Sequence, residues 1–341
     1  MKLDLVLEPD TPQRFAVLGQ LAEQLGFGCV WTANHVAAPD PFMSFMPLAQ
    51  QSATIAMGAV AVSPYELHPV KIANQLHTLN ETSGGRARVV IGGGGGAIIA
   101  MGLKSGRRAV MPRMVRGVAE CLKIIRGAGS QKAFEFKGEI FEISGYFASW
   151  VNADAPQIYV AASKPQMLGL AAREGDGLMM SDVTLPRIAE CMEIVNTTLD
   201  SHNRDRKKFA ISNLYAWHVK SDRAAAIREA RAKLFVRGML EPWYVSPFLT
   251  PEETAFVDEN LGAFANAYIK NTHVVEGVPD ALVDELVDNL TFAGDLNDVD
   301  RFIDQLIEFK AAGLTEFAIR LYGEPEEAIR LIAERVMPAL Q

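Results

Sequence analysis

The chain has 341 residues, 49% of them hydrophobic, and a formal net charge of −8. That length and apolar content can bury a large core, either as about two domains or as one α/β barrel. The negative balance excludes broad binding to nucleic-acid backbones, and no apolar run approaches the roughly 18 residues of a membrane span.

Residues 3–7 read as a short apolar strand that ends at Glu8-Pro9. The segment is too short, and too interrupted by Asp4, to be a signal peptide. Thr11 and Pro12 read as the cap and first turn of a helix whose apolar face carries Phe15, Leu18, Leu21, Ala22 and Leu25 and which closes at Gly26. Residues 29–32 form a second strand that runs into Asn34-His35. A short helix over 46–53 leads to a third strand over 55–62, broken by Ser63-Pro64-Tyr65. A helix over 70–79 and the turn Ser83-Gly84-Gly85 lead to a fourth strand over 89–91. Five consecutive glycines follow, then Ala97.

The alternation continues. Met111, Val115, Val118, Leu122 and Ile125 make a helical stripe, and residues 134–150 read as short β pieces in a polar insertion. Strands over 158–161 and 177–180 alternate with helices over 165–172 and 186–199. A long strand over 209–219 precedes a helix from Ser221. Residues 242–288 read as aromatic and irregular, then helical. Asn297 reads as the cap of a helix that stops at Gly313, before a last strand over 317–321 and a closing helix over 325–339.

Strand–helix alternation argues for a parallel sheet with helices outside it. Eight such units without a linker favour a single-domain (β/α)8 barrel over 1–341, with insertions at about 130–156 and 240–290, over an open doubly wound sheet. The cysteines Cys29, Cys121 and Cys191 are far apart, lack metal-ligand spacing and read as buried reduced thiols. A soluble cytoplasmic protein is the expectation, with no metal, nucleic-acid or membrane partner.

In a barrel of this kind the residues just past each strand carry the chemistry. His35 is a proton carrier in type, or a structural residue at a strand end. Gly58 inside a strand signals a bulge or a close backbone approach. The glycine run offers bare backbone to a ligand, or serves a flexible loop or tight packing. It is neither a Walker loop nor a dinucleotide fingerprint, for no acidic residue closes a second strand about twenty residues on. Ala161, Ala162, Ser163 and Lys164 precede a helix and suit a phosphate, or an ordinary helix cap.

Several segments together resemble the luciferase-like flavin and deazaflavin oxidoreductases. They are Ala22-Glu23-Gln24-Leu25-Gly26-Phe27 leading to Val30-Trp31 and Asn34-His35, and Ser83-Gly84-Gly85-Arg86 before the glycines. Pro156-Gln157-Ile158-Tyr159-Val160-Ala161-Ala162 and Ala293-Gly294-Asp295-Leu296-Asn297-Asp298-Val299 with Ala312-Gly313 complete the set. The likeness covers residues 1 to about 339. Ser63-Pro64-Tyr65-Glu66-Leu67-His68-Pro69 is similar to the branch of the methylenetetrahydromethanopterin reductases, which use coenzyme F420.

That resemblance implies a barrel with the cofactor ring in its mouth, backed by a non-prolyl cis peptide at Val60–Ala61, with Ser63 near it. It implies that Gly94, Gly95, Gly96 and Ala97 approach the ring or ribityl chain. It also implies that Ala161, Ala162, Ser163 and Lys164 hold the phosphate. Asn34 and Ala97 depart from the pattern, since relatives often carry acidic residues there. The expected activity is F420-dependent hydride transfer to or from a small organic substrate, with His35 and Asn34 catalytic. The alternatives are an FMN-dependent monooxygenase with a separate reductase, and a non-catalytic flavin or deazaflavin carrier. A homodimer or higher homo-oligomer is expected from the resemblance.

Overall fold

The computed structural model describes residues 1–8, 11–94, 101, 111–323 and 325–340. The first part of the chain runs β1 (Lys2–Val6), α1 (Pro12–Gln24), β2 (Cys29–Ala33), α2 (Pro41–Gln51), β3 (Ala56–Val62), α3 (Pro69–Ser83) and β4 (Ala87–Ile91). Next come α4 (Met114–Ala128), the hairpin β5 (Phe134–Lys137) and β6 (Glu142–Tyr146), β7 (Gln157–Ala161), α5 (Pro165–Glu174), β8 (Gly177–Ser181), α6 (Leu185–Ser201) and β9 (Ala210–Val219). The rest is α7 (Arg223–Ala232), α8 (Pro242–Val245), α9 (Pro251–Glu259), α10 (Leu261–Ile269), α11 (Asp280–Leu290), β10 (Thr291–Gly294), α12 (Val299–Ala311), β11 (Glu316–Leu321) and α13 (Pro325–Leu331).

Eight parallel strands, in the order β1-β2-β3-β4-β7-β8-β9-β11, close into a barrel with helices between them, the (β/α)8 fold. These are the eight strands read from the sequence. A ninth, β10, pairs with Ala216–Val219 of β9. Its four residues continue an apolar helix stripe, so only the pairing identifies them as a strand. Strands β9 and β11 are buried along nearly their whole length, as parallel strands covered on both faces are.

Caps account for several boundaries. Thr11 caps α1 by accepting from the Arg14 N–H. Asp40 accepts from the Met43 N–H, and Pro41 takes the first helical position, so α2 starts five residues before the 46–53 reading. Asn297 is not the cap of α12. That position falls to Asp298, whose side chain accepts from the Asp295 N–H instead. Residues 242–290 hold four helices separated by turns at 246–250 and 270–279, where the sequence reads as irregular first and then helical.

Contacts gather the residues into two compact units. The unit of Asp4–Met179 and Ile194–Ala210 has Phe15 edge-on to Phe45, and the Trp31 indole donating to the buried Asp4 carboxylate at 3.0 Å. Gly58 passes beneath that indole. A Cβ there would stand 2.6 Å from the Trp31 ring and 2.7 Å from the Arg88 carbonyl, so this glycine serves close approach. The Arg86 guanidinium donates to Ser83 O, Ala49 O, Ser52 O and Ile55 O, tying the end of α2 to the starts of β3 and β4. The buried Glu120 carboxylate accepts three backbone N–H groups of residues 139–141 and docks the β5–β6 hairpin on α4.

The other unit comprises Met1–Leu3, Met180–Glu193 and Ile211–Gln341. Tyr215 and Trp217 of β9 pack on Phe292, Phe302, Phe309 and Phe317. The helices of 240–290 build their own apolar core around Val257, Phe264 and Leu286. No described helix is long and apolar enough to cross a membrane.

Candidate active site

Asn34 and His35 follow β2 directly. The Asn34 N–H donates to Val60 O at 3.0 Å, which extends the β2–β3 ladder by one step. Its side-chain amide donates to Ala61 O at 3.3 Å and to Glu66 Oε1 at 2.5 Å. The Val60–Ala61 peptide is cis, as the family resemblance implies, and the β3–β4 register shifts between Val60 and Val62. Buried Ser63 then turns the chain, and its N–H donates to the same Glu66 oxygen at 2.7 Å. Burial pushes the Glu66 carboxyl above its ordinary range, while the Ser63 and Asn34 donors pull it back.

His35 keeps its side chain 45% exposed and places Nε2 3.1 Å from Glu8 Oε1. Asn34, His35 and Glu66 line one cavity of about 330 Å³, with Asp40, Phe42, Val62, Leu67 and Gln75 among its walls. Glu8 and Glu66 are passed over by the sequence reading. Glu8 stands just past β1, so the same strand-end argument applies to it. Glu66 lies within the Ser63–Pro69 motif, but the sequence reading gives it no role of its own.

The ends of β3, β4 and β7 form a floor of small residues. A Cβ on Gly92 would come 3.1 Å from the Ala161 methyl and 3.3 Å from the Ala61 methyl, and Gly94 adopts φ 74°. Gly95, Gly96 and Ala97 lie outside the described residues. Ala162 is buried and donates its N–H to Met179 O, while Ser163 is half-buried and Lys164 exposed. Lys164 makes no side-chain cap bond to α5. The structure therefore joins Ala161 to the glycine strand but does not bring residues 161–164 into the Asn34–His35 cavity.

The second unit holds a polar chain of its own that the sequence reading misses. Asp182, just past β8 at φ 56°, accepts from Arg237 Nη1 and from the Gly238 N–H, both at 2.9 Å. Arg237 Nη2 donates to the Tyr322 hydroxyl at 3.2 Å. The Tyr322 ring stacks on His218 at 4.7 Å, and His218 Nδ1 lies 2.8 Å from Glu229, which also holds Lys220. Burial holds the His218 imidazole below its ordinary pKa, hence neutral, and the Glu229 carboxylate fixes the proton on Nδ1. Strand-end position marks Asp182, Lys220 and Tyr322, which follow β8, β9 and β11; His218 lies within β9, and Glu229 and Arg237 carry no such signal.

All three cysteines are buried and unbridged. Burial pushes the Cys121 thiol up and the Cys191 thiol to about 11, so neither is a thiolate near neutral pH. Among the described residues no three His, Cys, Asp or Glu side chains gather as a metal would need.

Over 329 residues the chain is 27% identical to the 5,10-methylenetetrahydromethanopterin reductase of Archaeoglobus fulgidus, covering 94% of each chain. An F420-dependent glucose-6-phosphate dehydrogenase of Amycolatopsis mediterranei is 26% identical over 233 residues, covering 58% of this chain and 67% of that one. The solved coenzyme F420-dependent tetrahydromethanopterin reductase of Methanopyrus kandleri superposes with a TM-score of 0.76 at 18% identity, covering 100% of this chain and 99% of that one. Residues 3–316 match the family model of the luciferase-like monooxygenases, and the chain belongs to that family.

Proposed function

We propose that the protein is an F420-dependent oxidoreductase that passes a hydride between the deazaflavin and a small organic substrate. The carrying observation is the match along 94% of the chain to a methylenetetrahydromethanopterin reductase. The residues present suit the cofactor. Ala61, Gly92 and Ala161 leave a floor with no side chain larger than a methyl, which a flat ring needs. Ser163 and Lys164 at the N-terminus of α5 suit its phosphate, because first-turn N–H groups and the helix dipole attract anions.

The bound cofactor supplies the hydride chemistry. His35 gives or takes the substrate's proton at its imidazole, with Glu8 orienting the ring through Nε2.

Titration of the same apo-protein with F420 and with FMN, read by fluorescence quenching, tests the reading. Saturable binding of F420 with turnover supports it. Binding of FMN alone moves the protein to the monooxygenases, and F420 binding without turnover on any substrate leaves a carrier. Ser163→Asp is expected to weaken F420 binding about tenfold or more with little change in melting temperature, since it sets a charge against the phosphate. Unchanged affinity would move the phosphate elsewhere.

A further inference from the structure

Beyond the general reading, the cavity's own groups select a substrate. Glu66 Oε1 takes both donors available to the carboxylate, Asn34 Nδ2 and the Ser63 N–H. Among the described residues nothing donates to Oε2. Gln75, another lining residue, has its Oε1 buried without a donor. Glu66 Oε2 is thus an acceptor open to the cavity, whereas Gln75 Oε1 is a buried acceptor left unmade, at a cost of about 1–3 kcal/mol. The remaining acidic lining residue, Asp40, spends Oδ1 on capping α2. Among the described lining residues none is a lysine or arginine. Such walls attract hydrogen-bond donors and repel anions.

Asn34 fits the same logic. An aspartate there would set two carboxylates about 2.5 Å apart, and like charges that close cannot both stay ionised. The amide converts the contact into a donor and leaves the charge on Glu66.

We infer that Glu66 is the specificity-determining carboxylate of this cavity, accepting a hydrogen bond at Oε2 from a substrate ammonium or hydroxyl. The substrate class is a small organic amine or alcohol, and carboxylates and phosphates are rejected. The inference rests on the proposed function only in calling the bound molecule a substrate.

Three probes of one shape test it on the apo-protein by ligand-observed NMR: benzylammonium, benzyl alcohol and benzoate. A hydrogen bond to a charged group corresponds to about tenfold or more in affinity, so benzylammonium is expected to exceed benzoate by that factor, with the alcohol between. Glu66→Gln should bring the two ends within about threefold. Should that variant not fold, as judged by its melting curve, Glu66→Asp, which withdraws the carboxylate by one methylene, is expected to weaken benzylammonium and leave benzoate unchanged. Benzoate binding as tightly as benzylammonium, or a ratio unmoved by Glu66→Gln, overturns the inference. An F420 titration beside it separates the two readings. If F420 does not bind while the probe order holds and depends on Glu66, the cofactor reading falls and this one stands. If F420 binds and the order fails, this one falls alone.

Discussion

At the scale of single residues, His35 and Glu66 share a cavity but differ in what each contributes. His35→Ala is expected to leave F420 affinity within about threefold and to lower turnover by about 10²–10⁴-fold, the range of a general acid or base. Stopped-flow reduction and cofactor titration on the same preparation check it. A wild-type rate would return His35 to a packing role. His35 was legible because its position past a strand is local information. Glu66 was not, because its meaning comes from Asn34, 32 residues away.

At the scale of elements, β3 is constrained where it passes Trp31. Gly58→Ala would drive a methyl to 2.6 Å from the indole and 2.7 Å from the Arg88 carbonyl, and backbone cannot yield as a flexible side chain can. An overpacked site of this kind costs about 1–3 kcal/mol, which should appear as a lowered urea midpoint with an unchanged m-value. An unchanged midpoint would show that β3 and β4 can separate there. The sequence marks Gly58 as a point of approach but not what approaches. The same limit explains β10, whose four residues follow α11 without a turn signal and become a strand by pairing with β9.

At the scale of the whole molecule, buried polar groups make stability depend on charge. Asp182 and Arg237 are each 1% exposed in their side chains, so removing Asp182 takes a paired carboxylate from a buried guanidinium. Asp182→Ala is expected to cost about 3–5 kcal/mol, measurable by urea denaturation. A loss under about 1 kcal/mol would show that water reaches the pair. Burial lowers the pKa of both His77 and His218. The unfolded chain then binds more protons than the folded one as pH drops below about 6.5, the ordinary imidazole value, so stability falls in that window. Melting temperatures between pH 8 and 5 should decline less steeply in His218→Gln than in wild type. Parallel profiles would deny His218 a part.

What the sequence by itself determined is the succession of eight barrel strands, the turn at Gly84 and Gly85, and which residues stand past each strand. Those follow from periodicity and backbone preference within a few residues. Even the cis bond at Val60–Ala61 was reached, through the likeness of neighbouring motifs to a family. The tertiary structure alone decided the partners: Asn34 with Glu66, His35 with Glu8, and Arg237 with Asp182, 55 residues apart. A hydrogen bond forms only within about 3 Å, and whether two distant side chains come that close depends on the path of the chain between them.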